Sequence, residues 1–93
     1  MTDSPTEPFE IEISPAAARQ LRKLDPPVRR RVMLAIAGLA TLPRPSGMKQ
    51  LVGHEGLMRI RTGDYRIVYE IHDGRLVIVI VAVAHRRDIY RDL

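Results

Sequence analysis

The 93 residues contain no cysteine, which excludes disulfides and thiolate metal sites and makes a reducing cytoplasm the expected compartment. Long apolar runs are also missing. The longest, Leu76 to Ala84, falls far short of a membrane span. The opening segment Met-Thr-Asp-Ser-Pro-Thr-Glu-Pro has neither a basic start nor an apolar stretch, so it is not expected to direct secretion. Residues 1–8 are expected to form a flexible tail ahead of one domain, residues 9–93. Metal-ligand spacings, a Walker loop, Gly-x-Ser-x-Gly and a glycine-rich dinucleotide turn are all absent, so neither a metal nor a cofactor is expected. Acids are scarce over residues 15–51, where Asp25 faces eight Lys or Arg. Residues 1–14 hold four acids and no base (−4), and residues 15–93 hold 15 bases against 7 acids (+8), which together give the net +4. A domain charged in this way attracts polyanions: nucleic acid, a ribosome, or an acidic protein.

What is present reads as an α+β fold in the order β-α-α-β-β-β. Phe9-Glu10-Ile11-Glu12-Ile13 alternates apolar and acidic residues, as a half-buried strand does. Ser14-Pro15 is a helix start, and Pro15 to Leu24 presents Ala17, Leu21 and Leu24 on one side. Asp25-Pro26-Pro27 begins a second helix by the same device. It is expected to run to about Leu42, burying Val28, Val32, Ala35, Ile36 and Leu39, before Pro43-Arg44-Pro45-Ser46-Gly47 stops it. The helix pair can then cover one face of a sheet.

That sheet lies in residues 57–90. Gly63-Asp64 and Asp73-Gly74 are hairpin turns. Read as two-residue loops, they place Arg61 opposite Arg66, Ile60 opposite Ile67, Arg59 opposite Val68 and Met58 opposite Tyr69. In the second hairpin they place His72 opposite Arg75, Tyr69 opposite Ile78, Ile67 opposite Ile80 and Arg66 opposite Val81. Side chains alternate between faces. One face then carries Met58, Ile60, Ile67, Tyr69, Ile71, Leu76, Ile78 and Ile80, a core that Tyr65 shares. The other carries Arg59, Arg61, Arg66, Glu70, several valines and His85. Two arginines directly opposite one another repel, at about 0.2–1 kcal/mol. A merely solvated face needs no such pair, whereas a phosphate suits paired guanidinium forks.

The candidate catalytic set is Arg59, Arg66, His85, Arg86 and Tyr90, with Arg61, Lys49, Arg29 and Arg30 as candidate RNA contacts. RNA carries its own nucleophile, the 2′-hydroxyl beside each phosphate. Arginines can stabilise the charge that develops on the phosphorane, a histidine can transfer the proton, and a tyrosine can stack on a base. Each residue also has a plainer reading. His85 can cap a strand end, Tyr90 can anchor the tail, and Arg29-Arg30-Arg31 can be a solvated helix face.

The segment Gly-Asp-Tyr-Arg-Ile-Val-Tyr (63–69), the apolar strand after it and the ending His-Arg-Arg-Asp-Ile-Tyr (85–90) resemble the RelE/ParE superfamily of bacterial toxins. The resemblance covers nearly the whole chain and implies a RelE-like fold. RelE-type members are implied to cleave mRNA in the ribosomal A site, while ParE-type members inhibit DNA gyrase. RelE's pattern falls on Arg66, Arg86 and Tyr90. Arg59 takes the place of a lysine, Arg61 matches a basic position, and a second lysine is replaced by Leu57. The implied partners are a cognate antitoxin with an acidic or amphipathic segment, forming a hetero-oligomer, and the 70S ribosome with its mRNA; no membrane is implied. The expected function is therefore a cytoplasmic, metal-independent mRNA endoribonuclease toxin. Its alternatives are a gyrase inhibitor without chemistry of its own, or a degenerate toxin that acts only with its antitoxin in promoter repression.

Overall fold

In the computed structural model, which describes residues 8–87, the chain leaves and re-enters one sheet. Strand β1 (Glu10–Ile13) leads into helices α1 (Pro15–Arg22) and α2 (Pro26–Gly38), followed by β2 (Lys49–Gln50), β3 (Met58–Thr62), β4 (Tyr65–His72) and β5 (Val77–His85). The strands lie in the order β1-β5-β4-β3-β2, with β1 parallel to β5 and the other pairs antiparallel. The expected α+β order is present with one addition, β2. Its two residues pair with Met58 and Arg59 and are too few to show strand periodicity in the sequence. No helix among the described residues is long and apolar enough to cross a membrane.

Local chemistry sets the helices. Ser14 caps α1, its hydroxyl accepting the Ala17 N–H at 3.1 Å, with Pro15 in the first turn. At the other end the Arg29 guanidinium donates to the carbonyls of Leu21 (3.1 Å), Arg22 (3.3 Å) and Leu24 (2.8 Å). A cation among the last carbonyls of a helix satisfies groups that have no partner within it and complements the helix dipole. Helix α2 ends at Gly38 rather than Leu42. Past Gly38 the backbone tightens into short-range bonds, Leu39 to Ile36 and Ala40 to Ala37, and the Ala40 carbonyl instead accepts the Phe9 N–H at 2.7 Å.

Both helices cover one sheet face. Ala17, Leu21, Val32, Ile36 and Leu39 pack on Ile60, Ile67, Tyr69, Ile78, Ile80 and Val83. Tyr69 is fully buried, and its hydroxyl donates to the Pro43 carbonyl at 2.8 Å. Burial pushes its phenol up to about 12, while the nearby Arg44 pulls the other way.

The first hairpin has the expected register pair by pair, from Met58–Tyr69 to Thr62–Tyr65, and Gly63 supplies the positive φ its turn needs. The second does not. Asp73–Arg75 form a 3-10 turn, Leu76 follows at φ 55°, and His72 pairs with Val77 instead of Arg75. Leu76 thus leaves the core set assigned to it. Its carbonyl accepts the Glu10 N–H of β1 at 2.8 Å, a tertiary demand that a two-residue turn cannot meet. The loop gains two residues, so Ile78 and Ile80 keep their inward face but stand opposite Ile71 and Tyr69. A second departure follows within the same strands. Ile80 pairs with Tyr69 but Ala82 with Val68, leaving Val81 as the extra residue of a β-bulge. Beyond it the two faces of β5 exchange.

Candidate nucleic-acid interface

The sheet face turned away from the helices carries the arginines. Arg61 stands directly opposite Arg66, and Lys49, Arg59 and Val68 form the next cross-strand row. Opposed residues in antiparallel strands have Cα atoms about 4.5–5.5 Å apart, so these cations lie within one phosphate's reach of each other. Lys49 and Arg61 are exposed, and Arg59 and Arg66 half-buried. Nε and Nη1 of Arg66 are shielded from solvent. No carboxylate among the described residues forms an ion pair with Lys49, Arg59 or Arg61; the acids of β4 and its turn are engaged elsewhere. Glu70 meets His72 at 2.9 Å, and Asp73 meets Arg44 through two bonds of 2.8 and 3.2 Å.

Small apolar side chains form the floor beneath these cations. Val68 and Ala82 are buried under Leu51, with Leu57, Val81 and Ala84 packed alongside. The loop that brings Leu51 and Leu57 together is closed by their own backbone, Leu51 N–H to Leu57 carbonyl at 2.9 Å, and it turns at Gly53 and Gly56 with φ of 80° and 85°. Leu57, where the resemblance implies a lysine, has a packing role against Leu51, Val68 and Ala82.

The bulge moves His85 away from its expected place. His85 pairs with Tyr65 on the helix side, the two rings meeting edge to face at 5.5 Å and 83°, and not with the arginine row. Its Nδ1 accepts the Arg87 N–H at 3.3 Å. Arg86, the first residue beyond β5, donates its backbone N–H to the Asp64 carbonyl at 2.8 Å. That bond ties it to the turn between the strands of Arg61 and Arg66. Tyr90 lies outside the described residues.

Arg29 and Arg30 sit in the helix layer, across the sheet from the arginine row. The Arg29 guanidinium is already bonded to three carbonyls of the α1 end and has a structural role there. The third arginine of that run, Arg31, is the one that approaches the site. Its Nη1 passes over the β3–β4 turn, 3.1 Å from where a side chain on Gly63 would begin. Sequence offered no sign of this, because adjacent helix positions point in different directions and only the helix's seating on the sheet selects among them.

The comparisons with known proteins identify the family and the fold. Residues 11–90 match the family described as ParE toxin of type II toxin-antitoxin system, parDE. Toxin RelG of Mycobacterium tuberculosis is 34% identical over 85 residues, covering 90% of this chain and 98% of its own. Toxin RelE of the same organism is 34% identical over 89 residues, covering 95% and 92%. The toxin–antitoxin complex RelBE2 of M. tuberculosis contains a chain of the same fold, with a TM-score of 0.73 at 33% identity over 85% of this chain and 99% of that one. Free Escherichia coli toxin RelE, at 22% identity and a TM-score of 0.74, shares the fold. With the family match, two curated relatives and the fold in accord, the chain belongs to the RelE/ParE superfamily of type II toxin–antitoxin toxins and is RelE-like.

Proposed function

We propose that this toxin is a ribosome-dependent endoribonuclease that cleaves mRNA in the A site. The observation that carries the reading is the facing pair Arg61 and Arg66, with Arg59 and Lys49 in the adjoining row. Such a row is costly as plain surface and suited to a phosphate in its transition state. In this mechanism the 2′-hydroxyl of the preceding ribose gives up its proton and attacks phosphorus, and the 5′-oxygen departs and takes up a proton, leaving a 2′,3′-cyclic phosphate and a 5′-hydroxyl. Arg59, Arg61 and Arg66 hold the non-bridging oxygens, where their fixed charge serves best as the phosphorane forms. Arg86, tied to the turn, adds a further cation, and Tyr90 is the aromatic assigned to the base or the leaving group. His85 stands opposite Tyr65, on the other face of the sheet from the arginine row. The ribosome and mRNA supply the remaining geometry, in the cytoplasm.

A cognate antitoxin neutralises the toxin; the M. tuberculosis relative RelBE2 is described as a toxin–antitoxin complex. The surface of α2 and of the turn that follows it suits an amphipathic partner. Leu34 and Leu42 are 74% and 58% exposed, and Leu42 lines an open groove of about 490 Å³ together with Ala35, Leu39, Ile60 and Arg61.

The deciding experiment is cleavage of a defined mRNA on purified programmed ribosomes. The expected result is a cut within the A-site codon that disappears in Arg66→Ala. Growth arrest without any cut overturns the reading and leaves the gyrase inhibitor, which the ParE family match and Leu57 both favour. Overexpression without growth arrest leaves the repression-only alternative.

A further inference from the structure

The structure assigns Gln20 of α1 as a positioning residue that holds the β5 bulge, and with it the surroundings of Arg66 and the start of Arg86. Strand β1 accompanies β5 only from Val77 to Ile80. At Ser14 the chain turns into α1, and the next stretch of β5 has no strand beside it on that edge. The bulge falls at this point. A bulge breaks the ladder and leaves backbone groups in need of partners. Three bonds, two from Ser14 at the helix start and one from Gln20 further along α1, supply them. The Ser14 N–H donates to the Ile80 carbonyl at 3.0 Å, the Ser14 hydroxyl donates to the Val81 carbonyl at 3.0 Å, and Gln20 Oε1 accepts the Val83 N–H at 2.6 Å.

The bulge matters because it reverses the two faces of β5 beyond Val81. An unbroken alternation from Ile78 and Ile80 sends Ala82 and Ala84 into the core and puts Val83 and His85 beside the arginines. With the bulge, Val83 fills the core at 1% exposure, His85 lies against Tyr65, and the two alanines flank Val68 and Arg66. Arg66 thus has a methyl group for a neighbour rather than an imidazole. Arg86 leaves the strand in the direction that reaches the Asp64 carbonyl. A leucine at position 20 buries more apolar surface but leaves the Val83 N–H without its acceptor, and an unmet buried donor is what favours a strand sliding back into register.

The consequence for cleavage rests on the nuclease reading; the geometry does not. The test compares full-length wild type with Gln20→Glu, Gln20→Asn and Gln20→Leu. It measures kcat and KM for ribosome-bound mRNA, and the nuclear Overhauser contact between the Tyr65 and His85 rings. Glutamate presents an acceptor oxygen at the same reach and is expected to keep both the ring contact and the activity. Asparagine is one carbon too short yet polar enough to fold, and leucine removes the acceptor. Both are expected to lose the ring contact and about 10- to 100-fold in kcat, with KM within about twofold. Wild-type rings and wild-type kcat in both Gln20→Asn and Gln20→Leu overturn the inference, as does lost activity with the ring contact intact. If the wild type cleaves nothing, the nuclease reading falls. The ring contact still decides whether Gln20 holds the bulge.

Discussion

The two faces of the sheet are made by the same strands and meet opposite demands. The helix side is lined by Ile60, Ile67, Tyr69, Ile78 and Ile80, each nearly or wholly out of solvent, and it holds the fold together. The other side has two rows of cations over a small apolar patch closed by one loop. Burial rewards the first face, whereas electrostatic repulsion works against the second. Stability and activity should therefore separate by face, and substitutions can test how cleanly they do.

The largest expected effect is on activity. Arg66→Ala should lower cleavage by about 10²–10³-fold, the usual cost of removing one donor to a developing oxyanion. Its exposed partner Arg61, changed to Ala, should reduce cleavage while leaving the melting temperature level or slightly higher, since a like-charge contact is relieved. Across the sheet, Ile78→Ala should cost about 2–5 kcal/mol in denaturant unfolding. Cleavage per folded molecule should be untouched. A loss of activity in Ile78→Ala matching that in Arg66→Ala, measured well below its transition, breaks the division between the faces.

Arg29→Ala sharpens the comparison from the helix layer. It should cost about 1–3 kcal/mol by unfolding, through the α1 carbonyls it leaves without a partner, and should not change KM for ribosomes; a KM rise restores Arg29 to the RNA-binding set. Tyr69 gives a pH test. Its phenol ionises near 10 when unfolded and near 12 when buried, so the unfolded chain loses the proton first. The contribution is full below pH 10 and is lost as pH rises from about 10 to about 12. A pH series of Tm should show that decline, and Tyr69→Phe should flatten it. The smallest effect belongs to Arg44 and Asp73. Their ion pair is exposed, with the Asp73 carboxyl held below its ordinary range by the bond to Arg44. Arg44→Ala should shift Tm barely beyond measurement error.

The two hairpins show where sequence was legible and where it was not. In β3–β4 apolar and charged residues alternate from Met58 to Arg61 and again from Tyr65 to Ile67, and Gly63 marks the turn between them. The register and the shared face of Arg59, Arg61 and Arg66 follow from that pattern alone. In β5 every residue from Val77 to Ala84 is apolar, so nothing in the pattern marks which side each one faces. Neither the extra residue at Val81 nor the longer turn at Asp73 leaves a period to read. The side of the sheet that His85 occupies is therefore not legible from the pattern, and the contacts of Arg31 and Gln20 depend on how the helices sit.

The sequence by itself determined the α+β order, both helix starts, and the arginine row, because the Ser14 cap, the prolines that open both helices and two-residue alternation act over a few positions and need no distant partner. Only the tertiary structure decided the second hairpin, the early end of α2, and the faces of the last strand. Those depend on backbone groups answered from elsewhere in the chain. The Leu76 carbonyl is met by Glu10, the Ala40 carbonyl by Phe9, and the bulge by Ser14 and Gln20.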